Sequence, residues 1–134
     1  MNQKYILKHN EDIEKLVNKK SSVGNKFYAI YFDESENDTK VAISISKKCG
    51  SSPMRNYEKR VVREIIRTCE LERLKGFKCL FIIKKEALNL SYDAKKLEID
   101  RLISKLIEKN NERKEKRWIS TKFIKIIIST YLSL

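Results

Sequence analysis

The stretch SKKCGSSPMRNYEKRVVREIIR, from Ser46 to Arg67, carries seven lysines or arginines against two glutamates. Ser52 and Pro53 favour the beginning of a helix, because serine caps free N–H groups and proline in the first turn gives up no hydrogen bond. Cations then recur every four residues, which places them on one stripe of the helix. The stripe consists of Arg55, Lys59, Arg63 and Arg67, with Arg60 beside it. The stretch therefore predicts a helix with a basic edge.

The other face of this predicted helix is apolar. Tyr57, Val61 and Ile65 share a face, because residues four apart lie above one another on a helix. The residues that extend this face are Met54, Val62, Ile66 and Cys69. Lys47 and Lys48 leave the preceding strand just ahead of the helix. The cations are named the basic ridge, which comprises Lys47, Lys48, Arg55, Lys59, Arg60, Arg63 and Arg67.

Two interpretations of the basic ridge are open on the residues alone. Charge runs are often solvated faces, and Glu58 and Glu64 have the spacing to pair with cations one turn away. Against this, like charges four residues apart destabilise a helix unless a partner neutralises them. A phosphate backbone is such a partner, and about five phosphate contacts would lower affinity roughly 100- to 1,000-fold between about 50 and 200 mM salt. The pattern predicts a binder of RNA or DNA backbone.

The flanking sequence predicts a sheet covered by helices. The segments NKFYAIYFD and VAISISK have the aromatic, β-branched or alternating pattern of strands. The segment FKCLFIIKK is apolar in its middle, as expected of a central strand. A short helix after Asn10 is predicted to turn Ile13, Leu16 and Val17 inward, and a second helix begins near Ser91. The inward residues of that second helix are Ile99, Leu102, Ile103, Leu106 and Ile107. This order is typical of an α+β sandwich.

The composition narrows the class of protein. The chain has 134 residues, a formal net charge of +12, 36% charged residues and 41% hydrophobic residues. Its length fits one domain, and the periodic apolar blocks exclude a disordered chain. The charge favours a polyanionic partner, with nucleic acid ahead of an anionic membrane surface. The three cysteines lack C-x-x-C spacing and the first residues lack a signal-peptide core, so we expect a reducing cytoplasm.

From Ser44 to Arg67 the sequence SISKKCGSSPMRNYEKRVVREIIR resembles the protein subunit of bacterial ribonuclease P. The signature of that family is a strand ending in S-x-S-K-K-x-G, followed by R-N-R-x-K-R-x-x-R-E on a helix. The residues in register are Lys47, Lys48, Gly50, Arg55, Asn56, Lys59, Arg60, Arg63 and Glu64. The resemblance covers about residues 5–110 and implies a ribonuclease P protein domain at 1–112, followed by a tail at 113–134.

The resemblance implies a function. In this family the protein assists a catalytic RNA that removes the 5′ leader from precursor tRNA. The RNA holds the catalytic Mg²⁺ ions, so we expect no catalytic residue in the protein and no small-molecule substrate. The implied RNA-binding residues are Lys47, Lys48, Arg55, Asn56, Lys59, Arg60, Arg63 and Arg67. A ribosomal or chaperone-like RNA-binding protein without an enzyme role is the alternative.

The resemblance also implies a fold. Family members form an αβββαβα sandwich, like the second domain of ribosomal protein S5. Its βαβ crossover is left-handed, whereas general rules for parallel strands predict a right-handed connection.

Four residues decide how closely this chain should follow the family. Tyr57 stands where the family has arginine, and its alignment with the apolar face predicts packing in preference to stacking on a base. In the implied leader cleft, Ile13 and Val17 replace phenylalanines and Tyr31 matches a family aromatic residue. Because a stacked base contributes roughly 1–3 kcal/mol, these replacements predict a looser hold on the leader. Ordinary core packing is the alternative for Ile13 and Val17.

The sequence offers little for catalysis by protein side chains. His9 is the single histidine and precedes the first predicted helix, which leaves a Ser–His or Cys–His mechanism without support. Glu34, Glu36 and Asp38 lie in a polar turn, where acidic residues usually serve solubility. A metal nuclease that binds Mg²⁺ through these three carboxylates is the weaker alternative. We expect no metal site in the protein.

The tail is basic and then apolar, with Lys122 and Lys125 interrupting its apolar part. A membrane-spanning helix needs about 20 mainly apolar residues. A docked helix or strand that covers the sheet is therefore predicted, and an interfacial membrane anchor using Trp118 and Phe123 is the alternative. The run also has a faint resemblance to the opening of a small membrane-insertion-factor family, which would make it the displaced end of a reading frame.

Overall fold

The computed structural model describes residues 5–7, 10–19, 21–35 and 39–132, with backbone alone for Asn10 and for 116–132. In this part of the chain the elements are α1 (Asn10–Asn18), β1 (Ser22–Gly24), β2 (Tyr28–Glu34), β3 (Lys40–Ile45), α2 (Ser52–Ile65), β4 (Phe77–Ile83) and α3 (Tyr92–Leu132). A 3₁₀ turn at Lys47–Cys49 precedes α2, and a π-helical segment at Ile66–Glu70 follows it. The order confirms the predicted αβββαβα fold.

The four strands form one sheet in the order β1-β2-β4-β3. β2 pairs antiparallel with β1 and with β4, whereas β3 and β4 are parallel neighbours. Helix α2 crosses between these parallel strands, at the point where the resemblance implies a left-handed crossover. The central place of β4 agrees with its apolar run, in which Cys79, Leu80 and Phe81 are all buried. Helices cover both faces of the strand, so polar residues there would be desolvated.

The pattern of the residues did not predict the first strand, β1. β1 has three residues, Ser22–Gly24, and pairs Val23 with Ile30 of β2. Three residues are too few to establish an alternating pattern, so the pairing is set by the neighbouring strand. The longer strands were predicted from their sequences, and β2 and β3 begin and end close to the predicted segments.

The main core lies between one face of the sheet and helices α2 and α3. Alternate residues of each strand point into it, as period-two strands require. Its fully buried members include Tyr28, Ile30, Phe32, Cys79, Phe81, Ile83, Val62, Ile65, Ile66, Ile99, Leu102, Ile103 and Leu106. A smaller cluster on the opposite face consists of Leu7, Leu16 and Leu80, and partly buried Ile13, Tyr31, Ala42 and Ile82 pack against it. The sheet therefore has one sealed face and one face that α1 covers in part.

Helix α2 begins one residue earlier than the sequence indicated. Ser51 is the N-cap, and its Oγ accepts a hydrogen bond from the Met54 N–H at 3.4 Å. Ser52 is already helical, with Pro53 behind it in the first turn. The prediction that Ser52 caps the helix is wrong, because either of two adjacent serines has the chemistry to cap and the turn geometry selects the first.

Helix α3 starts where predicted, since the Ser91 Oγ accepts a hydrogen bond from the Ala94 N–H at 3.2 Å. Its backbone remains helical to Leu132, so a strand, one predicted form of a docked tail, is wrong. The domain boundary at 112 and the role of the tail stay predictions. Within the described residues, no helix combines the length and the apolar character that crossing a membrane requires.

The burial of α2 gives a testable expectation. Ile65 is fully buried beneath the basic ridge, so Ile65→Ala should lower the free energy of unfolding by about 2–5 kcal/mol. Leu97→Ala is the control, because Leu97 is 48% exposed on α3 and should change stability by less than about 1 kcal/mol. Urea denaturation of both variants measures the difference. Equal stability of the two variants would contradict the packing of α2.

Candidate nucleic-acid interface

A compact turn joins β3 to α2 and places basic side chains at one end of the sheet. The Ser46 Oγ accepts a hydrogen bond from the Lys48 N–H at 3.3 Å and opens the 3₁₀ turn. Gly50 follows with a φ of 147°, a conformation that side-chain-bearing residues rarely adopt. Lys47 and Lys48 are exposed on this turn, which packs against α2. The two lysines therefore extend the basic edge of the helix.

Arg55 is held against the same turn. Its Nε donates to the Gly50 carbonyl oxygen at 3.3 Å, and its Nη2 donates to the Ser52 Oγ at 2.9 Å. The side chain is half-buried as a result. Arg55 thus fastens the turn to the first turn of α2 and presents its charge in a fixed position.

The middle of the helix carries cations that the protein itself leaves without an ion-pair partner among the described residues. Each step of four residues advances about 40° around a helix, so the predicted stripe spirals across the surface. Lys59 is half-buried at the edge of the stripe, whereas Arg60 and Arg63 are exposed, as is Asn56. Within the part of the chain that the structure describes, no carboxylate forms an ion pair with Lys59, Arg60 or Arg63. These three cations are available to an external anion.

Arg67 ends the ridge and differs from the cations before it. Its Nη2 lies 2.5 Å from the Glu64 Oε1, and its Nε donates to the other carboxylate oxygen at 3.3 Å. The hydrogen bond from Arg67 lowers the pKa of Glu64 below its usual value, and the same bond raises the pKa of Arg67. The charge of Arg67 is therefore partly neutralised within the protein.

Glu58, the other acid of the basic stretch, is removed from the surface. It is buried, and both of its carboxylate oxygens lie 3.0 Å from the Nζ of buried Lys95 on α3. The solvated-face interpretation had Glu58 pairing with ridge cations, and this is wrong. Its negative charge instead acts on a core residue, Tyr28. Burial is the main cause that raises the pKa of the Tyr28 hydroxyl, and the charge of Glu58 raises that pKa further. The Tyr28 hydroxyl is buried and has no hydrogen-bond partner among the described residues.

Tyr57 does not pack in the core, contrary to the prediction. Its side chain is 58% exposed, while Val61 and Ile65 behind it are buried. The Lys95 ammonium lies 5.9 Å from the centroid of the Tyr57 ring, within reach of a cation–π contact. An aromatic ring thus stands on the surface of the basic helix.

The residues predicted to line the leader cleft lie together beside α1. Ile13 and Tyr31 are half-buried and pack against the small cluster beneath α1, and Val17 is 40% exposed. Ordinary core packing therefore fits Ile13 in part and does not fit Val17. Lys19 closes this region with an ion pair to Asp33 on β2, at 2.6 Å. Partly exposed apolar side chains and an ion pair therefore lie on this side of the sheet.

The acidic turn gives limited support to a protein-borne metal site. The Glu34 carboxylate accepts a hydrogen bond from Asn110 at 2.8 Å and forms an ion pair with Lys114 at 3.0 Å. Glu36, Asp38 and His9 lie outside the described residues. Since α3 already engages Glu34, one of the three carboxylates of the metal-nuclease alternative has other partners.

A partly covered sheet and a row of cations without an ion-pair partner among the described residues are typical of a small α+β protein that binds nucleic acid. The comparison with protein families makes this specific, because the model described as Ribonuclease P matches residues 1–107. The chain belongs to the ribonuclease P protein family. This membership favours the ribonuclease P interpretation over a ribosomal or chaperone-like RNA binder.

Relatives in this family share about a third of their residues with the chain. The Ribonuclease P protein component of Phytoplasma australiense is 33% identical over 108 residues, which cover 79% of this chain and 94% of the relative. The Ribonuclease P protein component of Bacillus velezensis is 32% identical over 107 residues, which cover 78% of this chain and 91% of the relative.

Solved structures show the same fold. The RNase P protein of Staphylococcus aureus superimposes with a TM-score of 0.68 at 22% identity, covering 75% of this chain and 93% of that protein. The RNase P protein of Thermotoga maritima gives a TM-score of 0.68 at 23% identity, covering 74% and 94%. The α+β architecture is confirmed by both.

The buried ion pair behind the ridge gives a second prediction. Lys95→Met should lower the free energy of unfolding by about 3–5 kcal/mol, because it leaves the Glu58 carboxylate buried without its partner. The double variant Glu58→Leu/Lys95→Met should recover most of that loss, since it removes both charges. Thermal or urea unfolding measures the three proteins. A double variant as unstable as Lys95→Met would contradict this account of the pair.

Proposed function

We propose that this chain is the protein subunit of a ribonuclease P ribonucleoprotein, which binds the catalytic RNA through the basic ridge and steadies the 5′ leader of precursor tRNA beside α1. The observation that supports it most is the row of cations at Lys59, Arg60 and Arg63, which have no ion-pair partner among the described residues. The bond between the leader and the tRNA is hydrolysed at the RNA subunit, which holds the Mg²⁺ ions.

The role of the ridge follows from charge neutralisation. A folded RNA brings phosphates close together, and their mutual repulsion opposes compaction and the approach of a second RNA. Fixed cations on a rigid helix release the condensed counterions of those phosphates, which supplies binding free energy. Arg55 and the two lysines of the 3₁₀ turn add charges that the fold holds in place. The protein thereby lowers the Mg²⁺ concentration that the RNA needs for activity.

The role of the surface beside α1 follows from its apolar and aromatic side chains. Ile13, Tyr31 and the exposed Val17 offer apolar area to bases of an extended strand. Tyr31 is the aromatic residue placed to stack, and aliphatic side chains contribute less to base binding than rings do. A single-stranded leader would therefore bind here with modest affinity.

The direct test is cleavage of precursor tRNA at low Mg²⁺ by the catalytic RNA, with and without this protein. We expect the protein to raise the cleavage rate strongly and to have no activity without the RNA. Cleavage by the protein alone would support the metal-nuclease alternative instead. RNA binding without activation would support a chaperone-like role.

The third prediction concerns the salt dependence of RNA binding. Arg60→Ala/Arg63→Ala should reduce the slope of log affinity against log salt concentration by about 1–2, because each arginine neutralises about one phosphate. Lys75→Ala/Lys105→Ala is the matched control, since it removes the same charge from exposed positions outside the ridge. Filter binding between about 50 and 200 mM salt gives the slopes. Equal slopes for the two double variants would contradict the role of the ridge.

The fourth prediction concerns the leader. Because Ile13 and Val17 lack rings, the affinity of the ribonucleoprotein for precursor tRNA should rise only shallowly as the leader lengthens. Ile13→Phe/Val17→Phe should steepen this dependence, since each stacked base contributes roughly 1–3 kcal/mol. Leu97→Phe on exposed α3 is the control and should have no effect. Dissociation constants for a series of leader lengths measure it, and a steep dependence in the unaltered protein would count against the proposal.

A further inference from the structure

The exposed ring of Tyr57 is a feature of the basic helix that charge neutralisation leaves unexplained. A tyrosine ring that is 58% exposed presents apolar area to solvent, and a stacking partner would bury that area. Met54, one turn earlier on the same helix, is 45% exposed and enlarges the apolar area. Arg60, one turn later, is an exposed cation. The ring therefore lies between an apolar side chain and a charge that suits a phosphate.

The ring is supported from beneath by a buried ion pair. The Lys95 ammonium lies 5.9 Å from the ring centroid, and both Glu58 oxygens hold that ammonium at 3.0 Å. The Lys95 and Glu58 side chains are 6% and 3% exposed, so their positions are fixed by the core. A ring that is held before binding loses little conformational freedom when a partner stacks on it. We call the Tyr57 ring, with the buried ammonium that contacts it, the aromatic platform.

The surroundings of the platform indicate what binds it. Arg60, three residues after Tyr57 and therefore beside it on the helix, is exposed and has no ion-pair partner among the described residues; its charge complements RNA and disfavours a basic surface such as a second copy of this chain. Proteins recognise unpaired nucleotides of RNA by stacking bases on aromatic side chains while cations contact the adjoining phosphates. We propose that Tyr57 stacks on an unpaired base of the catalytic RNA, with Arg60 on the neighbouring phosphate. This inference rests on the proposed function.

Affinity and salt slope together test the stacking contact. Binding of the isolated catalytic RNA, without precursor tRNA, should weaken between about 5-fold and 150-fold in Tyr57→Leu. The slope of log affinity against log salt should stay unchanged, because stacking releases no counterions. Tyr57→Phe keeps the ring and should bind within about twofold of the unaltered protein. Base-specific chemical probing should show an unpaired nucleotide that the unaltered protein and Tyr57→Phe protect and Tyr57→Leu does not.

Several results would overturn the stacking contact. Unchanged affinity in Tyr57→Leu would do so, and so would an equal loss in Tyr57→Phe, which would assign the effect to the hydroxyl. A loss that comes with a slope smaller by about 0.9 would indicate a displaced phosphate contact instead. A change in self-association with unaltered RNA affinity would assign the ring to a protein partner. If the unaltered protein itself fails to bind or activate the RNA, the proposed function fails, which is a separate outcome.

Discussion

The packing of α2 against the sheet is the constraint on which the rest of this structure depends. Val62 and Ile65 on α2, and Ile66 directly after it, are fully buried and fix the rotation of the helix about its own axis. Once that rotation is set, every other side chain of α2 has a determined direction. Cations on the opposite side have to face solvent, and Glu58, which shares the buried stripe, has to find a partner inside the protein. Lys95 supplies that partner.

This arrangement explains how a stretch with two acids remains strongly basic on its surface. A solvated helix would let each glutamate neutralise a cation one turn away. Here Glu58 is withdrawn into the core and Glu64 is engaged by Arg67, at the end of the ridge. Arg60 and Arg63 remain exposed between them. Cations on a helix that lack an ion-pair partner in the protein attract a polyanion. In a ribonuclease P protein the polyanionic partner is RNA.

Much of the fold was predictable because it depends on local patterns. Alternation in β3, the apolar run of β4 and the cap of α3 at Ser91 each carry a short-range signal. The resemblance of the segment from Ser44 to Arg67 then supplied the topology, which local patterns do not encode. β1 and the choice of Ser51 as the cap depend on tertiary contacts, and no residue pattern specifies them.

The errors at the site have one physical cause. Tyr57 was assigned to the core because it aligns with Val61 and Ile65, yet it lies about 100° around the helix from the centre of the buried stripe. That stripe runs through Glu58, which was assigned to the surface because it is charged. The sequence did contain a signal for the burial of Glu58. Lys95 lies four residues before Ile99 on α3, so this positively charged residue shares the buried stripe of that helix. Two opposite charges on two facing apolar stripes predict an internal ion pair.

The most direct test of the account is a map of lysine reactivity in the ribonucleoprotein. Acetylation followed by mass spectrometry, with and without the catalytic RNA, reports which lysines the RNA covers. If RNA covers the basic ridge, Lys47, Lys48 and Lys59 become protected while Lys75 and Lys105, exposed outside the ridge, stay reactive. Protection of Lys75 and Lys105 with Lys47, Lys48 and Lys59 still reactive would place the RNA on another surface and contradict it.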